Sequence, residues 1–483
     1  ESMKGDNCMK LRRFEVLSDT EIKRVNDAAL HILENTGMKI MSENARRILA
    51  DGGCDVDEST KICRFPQAVV EECLKKVPHQ FDLYDRNGNK ALTIGDGTVH
   101  CAAGHNAVFC IDSDNPERRY STVKDVEEFG IISQWCDSID LVGTPLNPFD
   151  VNPESTLLHA AKALFKTTTK PLVFSTESAK IVEALIDMMK AVGGENIASK
   201  PNAIIQLSPS SPLFWGGNTV DGVLAVAKAG LPLIILPEPM SGVSAPYSVA
   251  GLLTENTAEM LSGVVIAELV NPGTPVMYGA SWTTYDMKYS AAKIGAPESA
   301  LLTIAGCQMA GFYGLPSHTT ATNSDGNAHD EHQAWESVTN NILAMNSGND
   351  IVMNSGMFAC GLTTSLEQLV MDNEINRINK RLMTGIDASD DMVARDVIEE
   401  VGPMGSFLME EHTLDNLYSG EFWEPTIKIT QSYEKWKAEG CQTVDKVAGK
   451  LVREILEKGN TSELDPEKYK ALDDIIERFE KSI

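Results

Sequence analysis

The chain has 483 residues, of which 42% are hydrophobic, so it is long enough to bury a large core. Its formal net charge is −27 and it contains no run of five or more basic residues, which argues against a nucleic-acid partner and indicates solubility. No stretch of about 18 uncharged apolar residues is present and no signal peptide is visible, so we expect a cytoplasmic protein without a membrane span.

The ten cysteines are scattered along the chain and none forms a CxxC pair. Reduced thiols in the core of a cytoplasmic protein explain this pattern better than disulfides or a zinc site do. We therefore expect the cysteines to be free.

The first 97 residues predict helices followed by a hairpin. Ser18-Asp19-Thr20-Glu21 is a capping box, because the serine oxygen accepts from an amide of the first turn and the glutamate reaches back to the cap amide. Further helices are predicted from Ser42 and from Pro66, and a turn at Arg86-Asn87-Gly88 predicts a hairpin within residues 80–98. Residues 1–97 are therefore expected to form an N-terminal cap.

From residue 98 a unit repeats: an apolar run, a cluster of small or polar residues, and an amphipathic helix. Eight such units predict a parallel α/β sheet closed into a (β/α)8 TIM barrel over residues 98–362. No GxGxxG or GxxxxGK[ST] follows any strand, which argues against dinucleotide and P-loop sites. The predicted strands are residues 98–103, 139–143, 171–175, 203–207, 232–236, 275–279, 315–320 and 350–354.

Residues 363–483 predict a helical C-terminal extension. Its last part, residues 431–483, is amphipathic, with Val444, Val447, Leu451 and Ile455 at helical spacing. An amphipathic stripe needs an apolar surface to cover it. We expect this extension to pack on the barrel or on a second subunit, which favours a homo-oligomer.

The carboxyl ends of barrel strands are where such folds carry their chemistry, and here these positions are polar or aromatic and poor in Lys and Arg. This composition suits a small ligand with positive charge. Ring faces of Tyr278, Trp282 and Phe358 could hold a quaternary ammonium, each contact contributing roughly 0.5–2 kcal/mol. A single aromatic residue at such a position is more often part of the core than of a cage, and only several converging rings would form a cage.

Three further features allow two interpretations each. Glu238, between Pro237 and Pro239, is either a buried partner for a cation or a loop-capping carboxylate. His329 and His332 are three residues apart, as in metal sites, but no third ligand is signalled, and Asp330 as a helix cap explains the neighbouring carboxylate. His412 is either a packing residue or part of a segment folded over the barrel mouth.

Several segments together resemble the trimethylamine methyltransferase superfamily, specifically the branch without pyrrolysine that includes glycine betaine methyltransferases. They are residues 119–122, 169–174, 207–213, 236–242, 311–316 and 366–374. Trimethylamine enzymes carry pyrrolysine in the loop after the seventh strand, whereas the comparable residues here are Asp325-Gly326-Asn327-Ala328-His329. The resemblance therefore implies a quaternary amine rather than trimethylamine as the substrate.

The resemblance also implies the reaction. The methyl group of glycine betaine would pass to the Co(I) corrinoid of a separate corrinoid protein, giving dimethylglycine and methyl-Co(III). The chain lacks the DxHxxG signature of a cobalamin-binding module, so the corrinoid cofactor is expected to arrive on that partner. No covalent catalytic residue and no resident metal are expected.

Site residues are assigned from strand-end position rather than from a family motif. Tyr278, Trp282 and Phe358 are expected around the ammonium, with Glu238 nearby. His318, Gln206 and Asn354 would orient the substrate, and His105 or His329 would lie near its carboxylate.

Other functions stay open at this point. The substrate could be proline betaine, carnitine or γ-butyrobetaine. A metal-dependent barrel hydrolase or isomerase using His329 and His332, and a non-catalytic betaine-binding protein, are the rival classes.

Overall fold

The fold is a closed barrel of eight parallel strands, seen in a computed structural model that describes residues 13–112, 115–176 and 178–483. Each strand pairs with the next along the chain, and the last closes on the first through Ile351 and His100. The strands, labelled β1 to β8, are His100–Ala103, Ile139–Gly143, Leu172–Ser175, Ala203–Leu207, Leu233–Ile235, Val276–Ala280, Ser317–Thr320 and Ile351–Ser355. The predicted fold class is confirmed.

Six of the predicted strands begin later than expected, and in four of them the cause is a proline. The observed strands start directly after Pro171, Pro232, Pro275 and Pro316. Proline has no amide hydrogen to donate to a neighbouring strand, so each ladder begins one residue on.

Eight helices surround the barrel, one after each strand. They are labelled α1 to α8: Val123–Trp135, Thr156–Thr167, Ala179–Gly193, Gly217–Lys228, Val249–Val270, Pro297–Tyr313, Glu331–Asn346 and Leu366–Thr384. Asp330 caps α7 by accepting from the amide of Gln333 at 3.1 Å, so the carboxylate beside His329 serves the helix start. A left-handed Gly314 (φ 67°) ends α6.

Helix α8 packs against α7, α1 and β8, as the outer helix of the last unit. Asn376 donates to Ser355 Oγ at 3.1 Å, and Asn341 of α7 donates to Asn376 Oδ1 at 2.8 Å. The prediction from sequence assigns residues 363–384 to the C-terminal extension. No ninth strand follows this helix, so the repeat pattern does not mark it as part of the barrel.

The N-terminal cap closes one end of the barrel. Its hairpin, Phe81–Tyr84 with Lys90–Ile94, buries Leu83, Leu92 and Ile94 against the interior residues of the strands. These interior residues include Ile204, Ile351 and Met353, so the amino-terminal end is filled with side chains and access is from the carboxyl end.

The rest of the cap packs beside the barrel. Its helices are Asp19–Asn35, Glu43–Asp51 and Gln67–Leu74, and all three contact α5. A small sheet consists of Met38–Ile40, Asp55–Asp57, Ile62–Arg64 and Phe214–Trp215.

Short strands also lie beyond the carboxyl ends of the barrel strands. Phe109–Asp112, Asn115–Tyr120, Met357–Phe358 and Thr363–Thr364 form one sheet, and Thr284–Asp286 with Ala291–Lys293 form a hairpin.

After α8 the chain forms Asp390–Val393, Arg395–Val401, Glu411–Leu417, Tyr433–Ala438, Val444–Lys458 and Pro466–Glu480. Val444–Lys458 packs on α8 and α1, and Pro466–Glu480 packs on α2 and α3. Among the described residues, no helix combines the length and the apolar character that crossing a bilayer requires. The nine described cysteines are free thiols, six of them buried, and Cys8 lies outside the described residues.

Candidate functional site

A cavity of about 440 Å³ opens at the carboxyl ends of the barrel strands. This volume lies within the range of small-molecule sites, roughly 300–1,000 Å³. All the strands except β2 contribute to it directly or through the loop that follows. The described lining residues are His105, Asn106, Ser175, Thr176, Gln206, Ser208, Glu238, Ser281, Thr283, Ile294, Thr320, Asn323, Asn354, Met357, Cys360 and Gly361.

A buried hydrogen-bonded group at the base of the pocket joins β3, β4 and the loop after β1. Gln206 Nε2 donates to Ser175 Oγ at 3.1 Å and lies 3.3 Å from His105 Nε2. That imidazole nitrogen accepts when the ring proton is on Nδ1. Burial lowers the pKa of His105 to about 4, so the ring is neutral at neutral pH.

Three lining side chains carry a buried amide oxygen without a hydrogen-bond partner in the described protein: Asn106, Gln206 and Asn354. Asn106 and Asn354 have left-handed backbones, with φ of 54° and 88°. An unpaired buried acceptor costs about 1–3 kcal/mol, so these amides are the groups expected to gain partners from a ligand or water.

The pocket carries negative and no positive formal charge among its described lining residues. Glu238 is its one carboxylate, and neither lysine nor arginine lines it. Glu238 is exposed, which differs from the predicted buried position; it lies in the irregular segment after β5, between the buried Pro237 and Pro239. The remaining lining groups are mainly hydroxyls and amides.

The structure does not bring the three predicted rings together at the pocket. Tyr278 is buried outside the barrel wall, where its hydroxyl lies 2.9 Å from Thr257 Oγ1 of α5 and burial raises its pKa to about 12. Side chains alternate across a strand, and the neighbouring Met277 is the one that faces the barrel interior. Trp282 packs against Gly306 of α6, and Phe358 packs on His329 at 5.1 Å between ring centroids.

The histidines also lie at different places. His318 is buried in the barrel interior, with Nε2 3.3 Å from Met353 Sδ, and burial lowers its pKa to about 3. His329 Nε2 lies 3.1 Å from Ser365 Oγ, and burial lowers the pKa of His329. His412 contacts the carbonyl of Asp391 at 3.2 Å, after α8. Of the residues predicted from sequence, His105, Gln206, Glu238 and Asn354 line the pocket.

The metal interpretation gains no geometric support in the described ranges. His332 Nε2 lies 2.9 Å from Glu336 Oε1, whereas His329 contacts Ser365, so the two imidazoles have different partners. Within residues 13–112, 115–176 and 178–483, no group of three or more His, Cys, Asp or Glu side chains is placed to hold a metal ion.

Sequence reasoning missed one side of the pocket, the segment after β8. Ala359, Cys360 and Gly361 have consecutive positive φ values of 51°, 57° and 73°. The amide of Cys360 donates to Ser324 of the loop after β7 at 2.9 Å. Such a segment has no periodic pattern that would predict it, and Gly361 is the one residue of the three whose type indicates a left-handed backbone.

Comparison with known proteins adds a family to this geometry. The family model for trimethylamine methyltransferase (MTTB) matches residues 5–483. The trimethylamine methyltransferase MttB of Desulfitobacterium hafniense strain DCB-2 is 30% identical over 96% of this chain and 93% of its own. The MttB of Methanosarcina barkeri strain Fusaro is 30% identical over 99% and 98%.

Two further similarities are of note. A glycine betaine methyltransferase of Desulfitobacterium hafniense strain Y51 is 30% identical over 95% of each chain. The crystal structure of the Methanosarcina barkeri monomethylamine methyltransferase MtmB aligns over 98% of this chain and 96% of its own, with a TM-score of 0.49 and 12% identity. The match of the family model to residues 5–483, nearly the full length, shows that this chain belongs to the trimethylamine methyltransferase (MTTB) family.

Proposed function

We propose that this chain transfers a methyl group from a quaternary amine, with glycine betaine as the first candidate, to the Co(I) corrinoid of a separate protein. The observation that carries the proposal is the pocket itself: a carboxylate, amides and hydroxyls, with no lysine or arginine among the described lining residues. The name of the Desulfitobacterium hafniense Y51 relative supports glycine betaine.

The electrostatics of the pocket favour a fixed positive charge. Glu238 attracts a cation, and the neutral His105, whose pKa is held near 4, adds no repulsion at neutral pH. The unpaired amide oxygens of Asn106, Gln206 and Asn354 are negative dipole ends that attract a quaternary ammonium through its charge, since its nitrogen has no hydrogen to donate. Excluding water strengthens each of these interactions.

The other end of a betaine needs hydrogen-bond donors. Hydroxyl groups supply them without a fixed cation. The lining hydroxyls are those of Ser175, Thr176, Ser208, Ser281, Thr283 and Thr320. Proline betaine, carnitine and γ-butyrobetaine share this chemistry, so the substrate must be distinguished by assay.

The chemistry requires positioning more than acid–base catalysis. The Co(I) corrinoid supplies a strong nucleophile; the methyl C–N bond breaks, its electron pair stays on nitrogen, and a neutral tertiary amine leaves. The pocket residues hold the ammonium and orient one methyl group toward the barrel mouth. No proton transfer to the leaving nitrogen is needed.

An apolar patch beside the mouth supports docking of the corrinoid protein there. Val243, Tyr247, Met287 and Tyr289 are exposed on the loops after β5 and β6. These loops contact each other, since the amide of Tyr285 donates to Ser241 Oγ at 3.0 Å. Exposed apolar groups beside a pocket are typical of protein-binding sites.

The proposal is tested by incubating the purified chain with each betaine and a Co(I) corrinoid protein and recording the visible spectrum. Methyl-Co(III) should form with a quaternary amine and not with trimethylamine. A betaine that binds without any methyl transfer to the corrinoid would instead establish a non-catalytic binding protein. An activity that depends on bound metal, present at more than about 0.1 equivalent per chain, would favour a metal-dependent hydrolase or isomerase.

The rate should be insensitive to pH near neutrality. Because burial holds the pKa of His105 at about 4, the ring stays neutral above pH 5.5, and kcat/KM should fall only as the pH approaches 4, when a positive ring opposes the ammonium. A pH profile of kcat/KM checks this. A limb centred near pH 6.5 that disappears in His105→Gln would contradict it.

Removing the rim carboxylate should weaken substrate binding modestly. Glu238→Gln is expected to raise KM by about threefold to tenfold, with the larger effect at low salt, because Glu238 is exposed and its attraction is screened. Steady-state kinetics at two ionic strengths measure the effect. Glu331→Gln, in the first turn of α7, is the matched control and should leave KM unchanged.

A further inference from the structure

The chain beyond α8 carries a concentrated set of exposed apolar side chains. We define the arm as residues 390–423. It contains 11 of the 32 large hydrophobic residues that are exposed in the described structure. They are Val393, Ile398, Met404, Phe407, Leu408, Met409, Leu414, Leu417, Tyr418, Phe422 and Trp423.

The arm buries nothing of its own. All of its residues are described, and none of them is buried. Its helices, Asp390–Val393, Arg395–Val401 and Glu411–Leu417, have only four, seven and seven residues. Isolated helices of this length are unstable in water, so the arm needs a surface that covers its apolar face.

The root of the arm lies at the closed end of the barrel. Lys380 donates to the carbonyl of Ser138 at 3.0 Å, and Ser138 directly precedes β2. One residue on, Arg381 donates to the carbonyls of Gly385 at 2.8 Å and Glu421 at 2.7 Å, so it joins the two ends of the excursion. A partner that must reach the pocket would dock at the opposite end.

The charge of the arm argues against anionic membrane and nucleic-acid partners. It contains nine acidic residues and one basic residue, Arg395. Anionic lipid headgroups and nucleic acids would be repelled.

The exposed area is sufficient for a stable interface between two copies. The four aromatic side chains of the arm expose about 500 Å², taking roughly 200 Å² for a whole side chain. The seven aliphatic ones add a similar area, so two arms that covered all of it would remove at most about 2,000 Å² from solvent, compared with roughly 1,200–2,000 Å² for a standard interface.

We propose that two copies of this chain associate through their arms, which pack on each other around a two-fold axis at the closed ends of the barrels. A two-fold contact brings the same apolar patch from each subunit together. Both barrel mouths stay open. The arms also bring like charges together, so salt should strengthen the dimer.

The full-length chain should have twice the mass of one chain in light scattering at micromolar concentration. The double variant Leu408→Glu with Leu417→Glu should raise the dissociation constant at least about a hundredfold, because central apolar contacts dominate such interfaces. The control Leu301→Glu alters an exposed leucine on α6 and should leave the dimer intact.

Amide exchange and the salt dependence of the dimer are two further readouts. Amide exchange within residues 390–417 should be slowed in the wild type and fast in the double variant, while both retain the same exchange in α5. A monomeric wild type, or a dimer that persists in the double variant, overturns the proposal. So does a dimer that dissociates as salt is raised.

Discussion

Gln206→Leu is expected to lower kcat/KM for the quaternary amine by about a hundredfold. Gln206 is fully enclosed at the base of the pocket and joins Ser175 to His105 through its amide nitrogen. Its removal leaves His105 Nε2 without a donor and deprives the ammonium of an amide dipole. Losses of about 2–4 kcal/mol are usual for a preorganised polar group, and each 1.36 kcal/mol is a factor of ten.

Steady-state kinetics with circular dichroism and thermal unfolding separate this effect from misfolding. Gln134→Leu is the matched control, because Gln134 accepts from Thr168 Oγ1 at 2.7 Å and from the amide of Thr169 at 2.9 Å outside the pocket. The control should lose stability to a similar extent and keep its kcat/KM. Equal kinetic losses in both variants would remove Gln206 from the site.

Asp372→Asn is expected to flatten the dependence of folding stability on pH. Asp372, in α8, is completely buried and accepts from the amide of Gly356 at 2.6 Å and from Gln368 Nε2 at 2.8 Å. Burial raises the pKa of this carboxyl to about 8, well above its unfolded value near 4. The folded state therefore retains a proton that the unfolded state loses.

This difference in pKa determines how the free energy of unfolding changes with pH. Between about pH 4 and pH 8 the unfolded chain binds fewer protons, so the free energy of unfolding falls as pH rises, by up to about 1.4 kcal/mol per unit. Above pH 8 this contribution is constant. Asparagine stays neutral throughout, and the unpaired Gln368 Oε1 can accept from its new amide once the glutamine side chain turns over.

Urea unfolding at several pH values between 5 and 9 measures the slope. The Asp372→Asn protein should gain stability relative to the wild type as pH rises, and the gap should stop growing near pH 8. Asp474→Asn, an exposed aspartate on Pro466–Glu480, should keep the wild-type slope. A parallel shift at all pH values would show that Asp372 is ionised in the folded protein.

The barrel could be predicted from sequence because its strands are short apolar runs between proline, glycine and polar clusters. Which side chains of a strand face the barrel interior could not be predicted, because a strand that is buried on both sides shows no alternation of apolar and polar residues. Tyr278 illustrates the limit: its strand position was correct, but it points toward Thr257 of α5. Nothing in the local sequence distinguishes it from Met277, which faces the interior.

The irregular parts of the site were the hardest to predict. Cys360 and Asn323 reach the pocket through loops whose backbone hydrogen bonds join distant segments. The predicted residues that line the pocket from within the barrel, His105, Gln206 and Asn354, are on strands or within two residues of a strand end. Glu238 lines the pocket as predicted but is exposed rather than buried, because the burial of a residue in an irregular segment depends on the loops around it.

The hairpin of Leu83, Leu92 and Ile94 leaves the barrel a single entrance. Under the proposed reaction, amine and corrinoid protein must use the same opening, so the sequence of arrival is fixed: the amine loads first and the demethylated product departs last, after the protein acceptor has withdrawn. Initial-rate kinetics should then show compulsory-order behaviour. Excess corrinoid protein should inhibit, because it blocks the entrance of enzyme that has not yet bound the amine.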